Sequence, residues 1–330
     1  MDIPKINDNE LLVKVIASGI CGSDVMEWYR IKKAPLVLGH EIAGIVIESG
    51  KNVKKFNVED RVFVTHHVPC NTCRYCLNNE HTLCSTLHST KFYPGGFAEY
   101  IRIPSINVDR GAFLLPNEMS YDEGTFIEPL ACVVRGLRTA QFKQAQSVLV
   151  LGSGIAGLLN IKLTRAFGAS KIFATDINNY RLEMARKMGA DFAINAKENI
   201  TKIIEKNNDG RLADFVILCT GAINAVKQAI QSVEPGGTIL FFAPTMPDIE
   251  IPFPLFNVWN KQIKIFSTYA GAGKDIIDAM ELIKSKKLIV TDMITHKLPL
   301  EKAQEGFTLV SNADKSIKAV SYTHLTLPTN

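Results

Sequence analysis

Short apolar runs separated by turn residues mark the first part of the chain. Four of these runs have the length and composition of strands, at residues 11–16, 42–47, 61–65 and 98–103. Glycine, proline and asparagine stand between them, where reversals of the chain favour these residues. The pattern predicts a β-rich domain over residues 10 to about 120.

After about residue 140, apolar runs alternate with helical periods. Residues 147–151 form an apolar run typical of a parallel strand that is covered on both faces, and a helical period follows at 155–167. Further strand-like runs lie at 171–175, 190–194, 215–218 and 238–243, with helical periods at 180–188, 200–206 and 222–233. This βαβ alternation predicts a doubly wound parallel sheet.

Composition excludes several classes of protein. The chain has 330 residues, a length typical of about two domains. Its hydrophobic fraction of 46% and its small formal charge of +4 indicate a folded protein. Its basic residues are not clustered beyond pairs, which argues against a nucleic-acid partner. It has no apolar stretch of the roughly 18 residues that a membrane span needs and no secretory leader. Seven cysteines without a leader favour free thiols or metal ligands in a reducing cytosol.

A glycine-rich turn follows the first apolar run of the second half. Residues 152–157 read Gly152-Ser153-Gly154-Ile155-Ala156-Gly157, the Gly-x-Gly-x-x-Gly pattern, where a strand turns into a helix. Backbone amides at such a helix start can face a pyrophosphate. The motif alone is weak, because an ordinary glycine-containing turn has the same letters. The βαβ alternation downstream favours a dinucleotide site.

Asp176 ends the next predicted strand, 19 residues after Gly157. A carboxylate there can accept hydrogen bonds from the ribose hydroxyls of NAD and would repel the additional phosphate of NADP. Arg181 is evidence in the other direction, since a guanidinium can pair with that phosphate. The sequence predicts a cofactor site that includes Asp176 and Arg181, with NAD preferred to NADP.

Four cysteines lie in one short polar window. Cys70, Cys73, Cys76 and Cys84 are separated by two, two and seven residues, so that four thiolates can surround one ion and leave no open position. Four unconnected thiols are a weak alternative, because free cysteine favours buried apolar surroundings. The spacing predicts a structural zinc site.

A reactive metal site needs an incomplete ligand set, and its candidates lie outside this window. They are Cys21, His40, Glu41 and Glu128. Each has an ordinary alternative: a core thiol, a hydrogen-bonded turn histidine and solvated carboxylates. Spacing alone does not bring the four together.

The joint order of these motifs resembles that of the zinc-dependent medium-chain dehydrogenase/reductase family. The resemblance extends from residue 11 to residue 320. Simple alcohol dehydrogenases commonly have cysteine at the position of Glu128, and the glutamate makes the chain resemble the polyol and sugar branch of the family. The motifs in order are Cys21-Gly22-Ser23-Asp24, Gly39-His40-Glu41, the four cysteines, Gly95-Gly96-Phe97-Ala98-Glu99-Tyr100, Glu128-Pro129-Leu130 and the glycine turn.

The resemblance implies an α/β fold in which a Rossmann domain interrupts a GroES-like, β-rich catalytic domain. We expect the catalytic domain over residues 1–130, the Rossmann domain over 131–268 and a return to the catalytic domain over 269–320. Residues 321–330 follow a helix-like segment that ends near residue 320, and we expect them to be a non-native tail. The abrupt start suggests that the native chain begins earlier.

The resemblance also implies the roles of the site residues. Cys21 and His40 correspond to catalytic zinc ligands, and Glu41 and Glu128 to carboxylates that bind the ion directly or through its water. Asp24 corresponds to the carboxylate that fixes the His40 tautomer. Ser23 corresponds to the hydroxyl that takes the alcohol proton.

The function implied is a zinc- and NAD-dependent oxidation of a secondary alcohol to a ketone, with a polyol, sugar or sugar derivative as substrate. Two zinc ions per chain and a homodimer or homotetramer are expected. The alternatives are an L-threonine 3-dehydrogenase-like activity, a non-catalytic sensor that binds NAD and zinc, and a zinc-ribbon nucleic-acid binder.

The chain departs from the family pattern at two places. Many relatives have a proton-relay histidine three residues after the serine that corresponds to Ser23, and the chain has Met26 at this position. Two routes for the proton are then open: Ser23 passes it on through the cofactor ribose and water, or Glu27 replaces the histidine. Thr268-Tyr269 stands where sorbitol-type enzymes tend to have arginine before tyrosine, which argues against sorbitol itself. The remaining histidines, among them His66 and His67, fall in no ligand motif and are expected to be structural or solvated.

Overall fold

A computed structural model describes residues 2–324. The strands are β1 (Leu11–Gly19), β2 (Glu41–Ser49), β3 (Arg61–Val64), β4 (Tyr100–Ile103), β5 (Ala112–Leu114), β6 (Ser147–Leu151), β7 (Lys171–Asp176), β8 (Phe192–Asn195), β9 (Ala213–Leu218), β10 (Val233–Phe241), β11 (Lys264–Ser267), β12 (Ile294–Pro299) and β13 (Lys318–Tyr322).

The α-helices are α1 (Glu27–Arg30), α2 (Arg74–Leu77), α3 (Ser85–Ser89), α4 (Ser105–Arg110), α5 (Tyr121–Gly124), α6 (Ile127–Thr139), α7 (Ile155–Ala166), α8 (Asn179–Lys187), α9 (Ile200–Asn207), α10 (Ile223–Ser232), α11 (Leu255–Asn260), α12 (Lys274–Lys284) and α13 (Ala303–Asn312). The chain divides into two compact units. The first extends to Ala131 and resumes at Ala270, and the second is Cys132–Tyr269.

The first unit is built on a seven-stranded sheet. The strands follow the order β12-β13-β1-β2-β3-β5, and β4 pairs with β1. All pairs are antiparallel except β12 with β13. Alternate residues of β1, from Leu11 to Val15, are buried and pack with Ile42 and Val62 of the neighbouring strands. The period-two pattern of the sequence therefore produces the core of this unit.

The second unit contains the predicted parallel sheet. Its six strands follow the order β11-β10-β9-β6-β7-β8, and each neighbouring pair is parallel. All five residues of β6 are buried, as the apolar run predicted. The strand order reverses between β6 and β9, and ligands of such sheets bind beyond the carboxyl ends of the strands at this point. The glycine turn follows β6 at this point.

The carboxyl-terminal segment differs from the expectation. Residues 318–322 form strand β13 rather than the end of a helix, and Ser321 and Tyr322 pair with Ser18 and Ala17 of β1. The Tyr322 hydroxyl also donates a hydrogen bond of 2.6 Å to Asp122 Oδ1. Two residues of the expected non-native tail are therefore part of the sheet, and the non-native origin of the tail stays a prediction. Residues 325–330 of the expected tail lie outside the described residues.

We predict that Gly157→Ala destabilises the cofactor-free protein, whereas Gly154→Ala does not. A Cβ atom at Gly157 would overlap the carbonyl oxygen of Gly152, and the backbone has to shift to relieve the overlap. A Cβ at Gly154 meets only the Arg181 guanidinium, at an ordinary 3.8 Å. We expect a loss of about 1–3 kcal/mol for Gly157→Ala in urea unfolding. Equal unfolding midpoints for the two variants would contradict this packing.

Candidate functional site

Three predicted metal ligands come together where β1 ends and β2 begins. Cys21 lies just after β1, His40 just before β2, and Glu41 is the first residue of β2. The antiparallel register places Gly19 opposite Glu41, so residues about twenty positions apart in sequence become neighbours. One sulfur, one nitrogen and one oxygen atom of Cys21, His40 and Glu41 lie within 4.8 Å of one another. This donor set suits zinc and is incomplete, as a reactive site requires.

Asp24 contacts two of these residues, Cys21 and His40. Its Oδ2 accepts a hydrogen bond of 3.1 Å from the Cys21 backbone N–H, and its Oδ1 lies 3.4 Å from His40 Nδ1. Burial acts to raise the pKa of Asp24, but His40 and Arg30 outweigh it and the pKa is lowered. Burial acts to lower the pKa of His40, but Asp24 and Cys21 raise it well above its ordinary value. Asp24 therefore favours a proton on Nδ1, which leaves Nε2 as the metal donor.

Arg30 holds Ser23 and Asp24 together. Its Nη2 donates to Ser23 Oγ at 2.8 Å and to Asp24 Oδ1 at 3.0 Å, and its Nε donates to the Ser23 carbonyl oxygen at 2.9 Å. Ser23 Oγ in turn donates to Cys21 Sγ at 3.4 Å. Sequence reasoning did not find Arg30, because nothing in the spacing indicates that α1 folds back on this turn. A guanidinium does not accept a proton, so Arg30 positions Ser23 without replacing the relay histidine.

A buried lysine forms an ion pair with Glu41. Lys318 of β13 pairs its Nζ with Glu41 Oε2, and its side chain is completely buried. Burial of a carboxylate is costly unless an opposite charge compensates it, and Lys318 supplies that charge. Sequence reasoning also missed this residue. The one signal is a lysine within the apolar run from Ile317 to Val320.

Glu128, the fourth predicted ligand, lies in a neighbouring group. Its carboxylate, at the start of α6, lies within 4.8 Å of a nitrogen of His66 and of His67, and it is not part of the Cys21–His40–Glu41 group. The ring centroids of His66 and His40 are 4.8 Å apart. Burial, then the neighbouring His67 and His40, lower the pKa of His66 well below its ordinary value, and burial lowers that of His67 to about 3. Both residues are largely buried, which agrees with the structural alternative that the sequence left open for them and not with the solvated one.

The four-cysteine lobe fits one tetrahedral ion. The four sulfur atoms lie within 4.8 Å of one another, and individual pairs are 3.6 to 4.0 Å apart. Zinc–sulfur bonds of about 2.3 Å at tetrahedral angles require a separation of about 3.8 Å. Hydrogen bonds from Thr72 and the Cys73 backbone lower the pKa of Cys70 to about 5, while burial raises that of Cys76 to about 12. A bound dication would deprotonate all four thiols.

The glycine turn of the second unit borders a cavity of about 670 Å³. Gly152 has a φ of +93° and Gly154 caps the start of α7, whose first turn contains Ile155, Ala156 and Gly157. The lining of the cavity includes Gly152, Gly154, Asp176 and Arg181.

Backbone amides hold the acidic side chain at the end of β7. Asp176 Oδ2 accepts from the Ser153 N–H and Oδ1 from the Asn178 N–H, each at 2.9 Å. Arg181 Nη1 lies 4.0 Å from the same carboxylate. The predicted cofactor residues thus lie together in one unit, and the guanidinium faces Asp176.

Comparisons with known proteins agree with both units. Residues 7–110 match the model of the alcohol dehydrogenase GroES-like domain, and residues 156–285 match that of the zinc-binding dehydrogenases. The chain is 33% identical to D-xylulose reductase A of Aspergillus oryzae, over 96% of this chain and 91% of that protein.

Two solved structures share the whole fold. Galactitol-1-phosphate dehydrogenase from Escherichia coli is 26% identical, with a TM-score of 0.86 over 98% of this chain and 95% of that one. A zinc-binding dehydrogenase from Sinorhizobium meliloti 1021, solved with NADP bound, is 25% identical, with a TM-score of 0.87 over 98% and 94%. In the part of the chain that the structure describes, no helix is long and apolar enough to cross a membrane.

We predict that Cys70→Ser removes one zinc ion per chain and lowers the free energy of unfolding by roughly 2 kcal/mol or more, because metal binding contributes to folding. Asn78→Ser, an exposed lobe position without a thiol, is the matched control. Metal analysis and thermal unfolding measure the two effects. Unchanged zinc content in Cys70→Ser would show that the lobe is not a metal site.

Proposed function

The chain belongs to the zinc-dependent medium-chain dehydrogenase/reductase family, and from this premise we propose that it oxidises a secondary alcohol of a polyol, sugar or sugar derivative to the ketone, with NAD as the hydride acceptor. The observation that carries the proposal is the meeting of Cys21, His40 and Glu41 at one point. In the reaction the carbinol loses a hydride to the nicotinamide and a proton to the medium. The products are the ketone, NADH and one proton.

Two zinc ions per chain are part of the proposal. The residues that would hold the catalytic ion are Cys21, His40 and Glu41, and the four lobe cysteines would hold the structural ion. Zinc in the incomplete set would polarise the alcohol oxygen and lower its pKa. The Cys21 thiolate and the Glu41 carboxylate balance the charge of the ion, while Lys318 limits the negative charge of the group.

Three residues next to the proposed metal ligands orient these ligands and carry the alcohol proton: Asp24, Ser23 and Arg30. Asp24 keeps the His40 ring in one orientation and one tautomer, and it also binds the Cys21 backbone. We propose that Ser23 relays the alcohol proton: its oxygen takes that proton while its own hydroxyl proton passes to water. Arg30 donates to Ser23 Oγ, so it orients the hydroxyl and favours the deprotonated form by its charge. With methionine at position 26, the release needs no further side chain.

The substrate class rests on the relatives and on the polar groups beside the metal residues. The name of the Aspergillus oryzae relative specifies a ketose, whose reduction product is a polyol. Glu128, His66 and His67 supply polar atoms next to His40, which suits a substrate with more than one hydroxyl group. An NADH-linked panel of polyols, sugar alcohol phosphates and L-threonine tests this assignment.

NAD is proposed over NADP because Asp176 lines the cofactor cavity with its carboxylate held in place. All seven cysteines are free thiols, which supports the cytosolic location predicted from the sequence. A homodimer or homotetramer, implied by the family, stays a prediction.

We predict that Cys21→Ser lowers kcat/KM at least about a hundredfold, because it removes the thiolate that anchors the ion. The variant should lose one zinc ion and unfold near the parent temperature, unlike Cys70→Ser. Glu128→Ala should also lose activity. Cys132→Ser, a thiol outside both groups, serves as the control. Full activity in Cys21→Ser would remove the metal assignment.

We predict that the parent prefers NAD and that Asp176→Asn shifts the ratio of kcat/KM values towards NADP by about tenfold, because it removes a charge that repels the phosphate. Asp209→Asn, at an exposed position of the same unit, should leave the ratio unchanged. Initial rates with each cofactor measure the effect. A parent that prefers NADP would overturn the assignment of NAD.

A further inference from the structure

An irregular segment of the first unit carries His40. Residues 34–40 lead into β2, and His40 is the last of them. The backbone N–H groups of Gly96 and Phe97, in the loop before β4, donate hydrogen bonds to two carbonyl oxygens of this segment, each at 3.0 Å. The position of His40 therefore depends on where Gly96 and Phe97 lie.

The two backbones touch each other at the residue before His40. Gly39 has a φ of +99°, and a Cβ atom there would lie 2.7 Å from the Phe97 nitrogen and from Cδ2 of its ring. A Cβ atom at Gly96 would lie 2.9 Å from the carbonyl carbon of Gly39. Glycine is the residue that fits at both positions, because there is no space for a side chain between the backbones. Gly39 and Phe97 are thus in direct contact, and a displacement of Phe97 is passed to His40.

Helix α13 contacts both Phe97 and the chain that leads to Cys21. The rings of Phe97 and Phe307 meet edge to face, with centroids 5.0 Å apart and ring planes at 71°. The preceding residue of the helix, Gly306, faces Ile20, whose Cδ1 would lie 2.6 Å from a Cβ atom at Gly306. Ile20 is buried and directly precedes Cys21. Adjacent residues of one helix therefore contact the segments of two proposed metal ligands.

We propose that Phe97 and Phe307 are positioning residues that set the spacing of Cys21 and His40, and thereby the affinity of the catalytic zinc site. The proposal rests on the proposed function, because the ion is taken to lie at the Cys21–His40–Glu41 group. Zinc bonds of about 2.3 Å to sulfur and 2.0–2.1 Å to nitrogen at a tetrahedral angle require these two atoms to be about 3.6 Å apart.

A site of this kind has to hold its donor atoms to within about 0.5 Å. Edge-to-face rings have one preferred arrangement, so the pair of Phe97 and Phe307 resists movement of the His40 segment relative to α13. Leucine at either position keeps the apolar contact but removes the preferred ring geometry. The hydrogen bonds of Gly96 and Phe97 to the segment do not involve these side chains, so the segment keeps its backbone contacts in such a variant.

The test measures the release of zinc at each site by alkylation. A thiolate that binds zinc is protected from iodoacetamide, and peptide mass spectrometry reports Cys21 and Cys70 separately during one titration with a zinc chelator. In Phe307→Leu and in Phe97→Leu, the chelator concentration that exposes Cys21 should fall about tenfold, since the loss of a group that orients a metal ligand weakens metal binding by about ten- to a hundredfold. Cys70 should stay protected as in the parent. Phe307→Tyr, which keeps the ring, should match the parent.

Phe113→Leu is the matched control. Phe113 is half-buried like Phe307, and its ring pairs with that of Phe63 in the same unit, with centroids 6.3 Å apart. Its substitution should leave the protection of Cys21 unchanged. Parent-like protection of Cys21 in Phe307→Leu would overturn the proposal. Equal losses of protection at Cys21 in Phe307→Leu and Phe113→Leu, or a simultaneous loss at Cys70, would also overturn it, because a general loss of stability would then be the cause.

The same titration separates this proposal from the proposed function. A parent that oxidises no alcohol would remove the proposed function, while the protection of Cys21 in the parent and in Phe307→Leu would still decide the positioning role. A parent that protects Cys70 but not Cys21 would overturn the positioning role together with the catalytic zinc.

Discussion

The antiparallel pairing of β1 with β2 is the constraint on which the candidate active site depends. Its register places Gly19 opposite Glu41, which brings the turn after β1 and the residue before β2 to the same edge of the sheet. On its other side β1 pairs with β13, where Gly19 faces Val320, and this pairing brings Lys318 to Glu41. A Cβ atom at Gly19 would overlap both Glu41 and Lys318, so glycine is the residue that fits at this position. A shift of register by one residue would turn these side chains to the opposite face.

Buried charge is the second requirement of the site, and two separate pairings satisfy it. Asp24 lies between Arg30 and His40, and Glu41 is matched with Lys318. Charges removed from water destabilise the fold unless partners compensate them. Each pairing also acts on a proposed metal ligand, since Asp24 orients His40 and Lys318 holds Glu41. The same ionic contacts that make the burial tolerable therefore fix the positions of the proposed donor atoms.

Sequence reasoning grouped residues most readily where the information is local, although the cofactor and zinc roles of these groups stay predictions. The glycine turn and the four-cysteine lobe each lie within fifteen residues, and a fixed spacing determines what their backbone and thiols can do. The parallel sheet was predicted because buried strands such as β6 have unbroken apolar runs. Lys318 and Arg30 were missed because their contacts come from strand pairing and chain reversal, which leave no periodic signal. Strand β13 was mistaken for the end of a helix because a segment of five residues is too short to distinguish the helical period from the strand period.

The side chain that contacts the Ser23 hydroxyl is Arg30, whereas many members of the family have a relay histidine at the position of Met26. A relay histidine would both hold the serine hydroxyl and take its proton. Here Arg30 donates one hydrogen bond to the Ser23 hydroxyl, one to the Ser23 carbonyl oxygen and one to Asp24, but it does not accept a proton. Its positive charge lies next to the Ser23 oxygen, and in the proton route that we propose this charge would favour the loss of the hydroxyl proton. The same guanidinium binds the carboxylate that orients His40. Arg30 thus contacts both the hydroxyl of Ser23 and the carboxylate that orients His40. Substitution of Met26 by histidine would add a proton acceptor, but it would not replace the contacts of Arg30 with Ser23 and Asp24.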